Sequence, residues 1–217
     1  MGKLQDFEHR YQQELVVLKE KGRLIEDWAN VYRHCFTEGL IANVFAELLQ
    51  LPSEEQEPLV KAALLHDWYK RNEREAVNKE GFGQYDAKAK ESARLLRSFG
   101  YSEEIVELTE SVGHTSLKDI QNTQSFLKKL MHYIDDIALS DKVVALDKRI
   151  DQLEAAERYK ELNESGRTIF NGRTYFEVQR AIGHEIEKEV AARVGIEASE
   201  LITLVQGKLQ NDYNVSS

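Results

Sequence analysis

The chain has 217 residues, 41% of them hydrophobic and 31% charged, a balance that fits a water-soluble globular domain and excludes a disordered chain. Thirty-eight acids against 29 bases leave a net charge of −9. That argues against a nucleic-acid polymer as partner, because such affinity rests on Lys and Arg neutralising phosphates. The longest apolar runs, Leu15–Leu18 and Ala62–Leu65, are too short to span a bilayer. The first residues lack an apolar signal core, and Cys35 is the single cysteine, so a reducing, cytoplasmic setting is expected.

Only two prolines occur, Pro52 and Pro58. The rest is rich in Ala, Leu, Glu, Lys, Gln and Arg, which predicts an all-α fold. Leu40, Val44, Leu48 and Leu51 form one helical stripe, stopped by Pro52 and Ser53, with Pro58 expected in the first turn of the next helix. That helix carries Leu59 to Tyr69. Gly81–Gln84 reads as a loop, Asp86 as the N-cap of a helix over 87–99, and Gly100 as its end. Ser102, with Glu103 and Glu104 behind it, opens a helix to about Val112. An apolar-periodic stretch follows from Phe126 to Leu139 and, after a break near Ser140, to Leu153. Asn163–Arg167 and Asn171–Arg173 mark a polar connection to helices near 174–193 and 197–209. Nothing divides the chain, so residues 1–217 are expected to form a single helical domain.

Two apolar helices are interrupted by acids. His66-Asp67 lies between Ala62–Leu65 and Trp68-Tyr69, and Asp135-Asp136 lies between Met131–Ile134 and Ile137–Leu139. A carboxylate in an apolar setting costs several kcal/mol unless it is paired, hydrogen-bonded or bound to a metal. A cation between two such helices would satisfy both, with His34 as a further donor. Imidazole and carboxylate together suit Mn, Fe, Co, Ni or Zn, and Mg less well.

The order His34, His66-Asp67, Asp135, each in helical context, resembles the HD-domain superfamily of metal-dependent phosphohydrolases. The resemblance covers residues 30–150 and leaves 151–217 as a C-terminal helical extension. It implies His34, His66, Asp67 and Asp135 as metal ligands, Asp136 being the competing choice for the last. It also implies catalytic parts for Lys70, just after the His-Asp pair, and for His114. The implied activity is hydrolysis of a small phosphate ester, foremost a nucleotide. Trp68-Tyr69 departs from the small residues many members carry there, and no histidine stands near Tyr85-Asp86 to hold a second metal. These departures leave a second expectation, a nucleotide-binding or regulatory module with little turnover. The apolar faces of 151–217, with Leu153, Phe176, Val178, Ile182 and Ile186, suit either core packing or a homo-oligomer contact.

Overall fold

The computed structural model describes residues 2–21, 28–80, 84–113 and 116–214. Its order is α1 (Lys3–Arg10), α2 (Gln12–Glu20), α3 (Trp28–Leu48), α4 (Ser53–Leu65), α5 (Lys70–Glu80), α6 (Gln84–Ser98), α7 (Glu103–Glu110), α8 (Leu117–Asn122) and α9 (Phe126–Ile137). A two-stranded ribbon, β1 (Ala138–Leu139) and β2 (Lys142–Val143), precedes α10 (Leu146–Ala155), α11 (Lys160–Ile169), α12 (Tyr175–Val194) and α13 (Ala198–Tyr213). The all-α expectation holds. Among the described residues no helix is long and apolar enough to cross a membrane.

The centre is a hairpin of α3 and α4. Gln50 turns the chain with a left-handed φ of 52°, and Leu51-Pro52 leads into α4. Helix α4 starts at Ser53, so Pro58 sits in its second turn rather than its first. The bond this proline forgoes would have gone to the carbonyl of Glu54, an exposed residue that water can serve. Leu59, Val60, Ala62, Ala63, Leu64 and Leu65 are all buried. Leu64 belongs to the main core and Leu65 to a smaller cluster with Cys35, Trp68 and Leu96, so the second half of α4, Lys61 apart, is apolar on every side because it is enclosed. Gly39 permits the close crossing, since a Cβ there would meet Leu64 Cδ2 at 2.6 Å.

Helix α9 packs on α3, α4 and α7 from one side and on α10 and α12 from the other. Its start is capped by Ser125, whose side chain accepts from the Lys128 N–H. Its end passes into the ribbon, where Ser140 takes a φ of 57°; this is the break expected near Ser140. Helix α12 opens on a capping box of Thr174 and Glu177, and α13 returns to lie on α3 and α1. The main core therefore runs from Phe7 through Tyr133 and Ile182 to Tyr213.

Two local expectations are corrected. Helix α6 begins at Gln84, ahead of Asp86. Residues 163–167, read as a polar connection, lie inside α11. Their small and polar character serves tertiary contact instead. A Cβ on Gly166 would lie 2.1 Å from the Tyr175 nitrogen, and Asn163 Oδ1 accepts from the Phe176 N–H at 3.0 Å. One residue admits the N-terminus of α12 and the other satisfies one of its free donors.

Candidate metal centre and the cavity around it

Three elements bring the predicted ligands together. His34 lies in the second turn of α3. His66 ends α4, and the chain from His66 to Tyr69 tightens into turns closed by Trp68 N–H to Leu65 and Lys70 N–H to Asp67. Asp67 and Lys70 are thereby presented beside His66 instead of continuing round a regular helix. Asp135 comes from the last turn of α9. His34 Nε2 is 3.3 Å from Asp135 Oδ1, and His66 Nε2 is 3.8 Å from the same oxygen and 3.9 Å from Asp67 Oδ1.

A fifth group was missed in the sequence. Glu38, one turn after His34 on α3, is fully buried between the two imidazoles. Its Oε1 lies 2.9 Å from His34 Nε2 and its Oε2 lies 2.9 Å from His66 Nδ1. The signal was the i, i+4 spacing from His34 together with the apolar run 40–46 behind it, which places Glu38 on a face with no water.

His34, Glu38, His66 and Asp135 offer donor atoms all within 4.8 Å of one another and form a group able to hold a metal ion. The donor set fits. His66 Nδ1 lies 3.0 Å from the Ala63 carbonyl, so in the neutral ring Nδ1 carries the hydrogen and Nε2 keeps its lone pair. That Nε2 is buried with no hydrogen-bond partner, and the Glu38 oxygens are met only by the two imidazoles without a well-formed hydrogen bond, a condition a cation relieves. Asp67 stands at the margin of the group, its Oδ1 held at 3.0 Å by Lys70 Nζ.

The protonation balance reflects this crowding. Burial pushes the His66 imidazole down, but Glu38, Asp67 and Asp135 together lift it to about 9. Burial likewise opposes His34, and Glu38 with Asp135 raises it well above the usual range. Burial raises the acids, yet Lys70 and the two imidazoles bring Asp67 down to about 2, and His34 and His66 hold Asp135 far below a normal carboxyl.

Asp136 turns the other way. It is buried, its Oδ1 accepts from the Gln179 amide of α12, and its Oδ2 lies 3.6 Å from His132 Nε2. Burial raises its carboxyl to about 6. Of the two neighbours, Asp135 is the one that joins the histidines.

The group opens on a cavity of about 530 Å³ lined by His34, His66, Asp67, Asp135, Lys70 and Glu73 on one side. Arg149, Tyr159, Tyr175, Phe176 and Gln179, from the segment that follows α9, line the other. Lys70 is paired with Asp67 and lies 3.8 Å from Glu73; Arg74 also lines the cavity. His114 lies outside the described residues, although Gly113 before it lines the cavity. Trp68 packs against Tyr69 and Phe99 within the smaller core cluster. Cys35 is buried, with its thiol pushed up by burial.

Comparison with known proteins found no match: no family model fits the chain, and no curated protein or solved structure is similar to it.

Proposed function

We propose that this protein is a metal-dependent phosphohydrolase of the HD-domain type that cleaves a small phosphate ester, a nucleotide being the foremost class. The observation that carries this reading is the meeting of His34, His66 and Asp135, from three separate helices, at the floor of a ligand-sized cavity, with Asp67 and Lys70 at its rim. His34, His66 and Asp135 would hold a divalent ion, with Asp67 or Glu38 completing the set. What such an ion supplies is charge on the phosphoryl oxygens and a lowered pKa for water.

The chain's own residues do the rest. Glu38 fixes both imidazole rings in place. Lys70, anchored by Asp67, presents N–H donors to the phosphate and stabilises negative charge on the departing oxygen. Arg149 adds a second positive charge across the cavity. His114 keeps the catalytic part that the resemblance implies, stabilising charge or supplying a proton. Helix α10, the turn at Arg158-Tyr159 and α12 line the cavity and limit the access of bulk water to the reacting end.

Phosphate release from a panel of phosphate esters, with Mn, Co, Ni, Fe, Zn and Mg added in turn, tests the reading alongside elemental analysis. About one transition ion per chain and turnover of at least one ester, both lost in Asp135→Asn, are expected. Full phosphate release by that variant would overturn the proposal.

One observation favours a second reading. Asp67, Asp135 and Glu38 each already face a cation within the chain, so the network can stand without a metal and serve a binding or regulatory module. Nucleotide-induced thermal stabilisation with no product under any metal would select it.

A further inference from the structure

The cavity lining carries further buried polar atoms without a hydrogen-bond partner, on His132, Arg149 and Gln179, with Asp136 Oδ2 3.6 Å from the His132 ring. His132 and Gln179 line the cavity and are 2% and 6% exposed. His132 Nδ1 lies 3.2 Å from the Ser111 carbonyl, which makes Nε2 an acceptor in the neutral ring, and Nε2 has no hydrogen-bond partner. The Gln179 amide gives its N–H to Asp136, which fixes its orientation and leaves Oε1 an acceptor without a partner. Arg149, also lining the cavity, has a buried Nε–H with nothing to donate to. Each such atom costs free energy in the empty cavity.

The pattern is selective. The Gln179 oxygen and the His132–Asp136 pair, whose Nε2 and Oδ2 lie 3.6 Å apart, disfavour a phosphate or carboxylate, and the guanidinium repels an amine. A hydroxyl group suits both, since its hydrogen goes to an acceptor and its oxygen takes the Arg149 N–H. We infer that His132, Gln179 and Arg149 form a subsite for the hydroxyl groups of a polyhydroxylated phosphate ester, so that the substrate is a sugar phosphate or carries one. This rests on the phosphohydrolase reading only in placing the phosphate at the His34–Asp135 end. The subsite draws Arg149 from α10 and Gln179 from α12, which gives the C-terminal helices a part in specificity.

The test compares ribose 5-phosphate with pentyl phosphate, five-carbon esters with and without hydroxyls. In the metal-loaded wild type, kcat/KM should favour ribose 5-phosphate by about thirtyfold, the product of two modest hydrogen bonds. In Gln179→Leu that preference should shrink by about fivefold or more, chiefly through KM. A wild-type preference below about threefold overturns the subsite while leaving the phosphohydrolase reading intact, and this holds even where Gln179→Leu fails to fold. An unchanged preference in a folded Gln179→Leu overturns it as well. If neither these two esters nor any ester of the wider panel is cleaved under any metal, the phosphohydrolase reading fails instead. The subsite is then decided by melting of the metal-free protein: stabilisation by ribose 5-phosphate and not by pentyl phosphate upholds it, and equal or absent stabilisation overturns it.

Discussion

Asp135 faces α3 and α4, whereas Asp136, the next residue, faces α12, and the two carboxyls are driven in opposite directions. The wall around Asp135 is dense with charge: two imidazoles, Lys70 and three acids compensate one another, and the carboxyl stays ionised. The wall around Asp136 is under-satisfied, with an amide on one oxygen and a histidine nitrogen 3.6 Å from the other, and burial outweighs the more distant positive charge and raises the carboxyl. Burial is shared by both, so it does not by itself decide the charge of a buried acid. What decides it is whether cations lie within a few ångströms. One wall is therefore built to exchange cations, and the other to exchange hydrogen bonds.

The sharpest way to break this contrast is to neutralise each acid separately. Asp135→Asn should empty the centre of metal by elemental analysis and lower phosphate release by on the order of 10³. A smaller effect, on stability, is expected from Gly166→Ala. Its Cβ would strike the backbone at Tyr175 and displace the α12 wall, at a cost of about 3 kcal/mol in denaturant unfolding. Glu38→Gln keeps the shape between the imidazoles but loses the charge, and should weaken metal affinity by about 10–100-fold in a chelator competition.

The pH response separates the walls further. His66 binds its proton more tightly folded than unfolded, at about 9 against 6.5. Its contribution is complete below about 6.5 and is lost as pH rises through 9. Metal-free protein should therefore melt at lower temperature above pH 9 than near 6.5, and metal-loaded protein should show a smaller fall. Asp136 has the same sign at lower pH, since its carboxyl is raised from 3.8 to about 6. The smallest expected effect is that Asp136→Asn raises the melting temperature at pH 7 by about 2–4 °C.

The helical fold was legible because apolar periodicity and the stop signals at Pro52, Gly100 and Ser102 coincide with element ends. His66 and Asp135 stood out for a related reason, since polar groups inside apolar runs must have a partner, whereas His34 was singled out by its order with them in the family resemblance. Glu38 escaped notice because a glutamate one turn from a histidine looks like a solvated face until α4 is seen to cover it. Helix α11 was missed because Asn163, Ser165 and Gly166 carry loop chemistry for tertiary reasons, admitting and capping α12, which local propensity does not encode. The His132–Gln179 cluster joins residues from α9 and α12 that no spacing rule connects.

The hydrogen bond from Asn43 Nδ2 to the Tyr213 hydroxyl, at 2.7 Å, ties α13 to the helix that carries His34 and Glu38, and Lys3 of α1 joins the same two helices, 2.9 Å from Asp212 and 3.3 Å from Glu47. The order of synthesis gives these bonds a further meaning. The early helices leave the ribosome with two histidines and Glu38 but without Asp135, and later without the segment that pins α3. A nascent chain therefore holds only part of the ligand set, on a scaffold not yet braced. On the proposed metal reading, competence to capture an ion would arrive late, with the closure of these long-range contacts, and metal content would measure how many chains have finished folding.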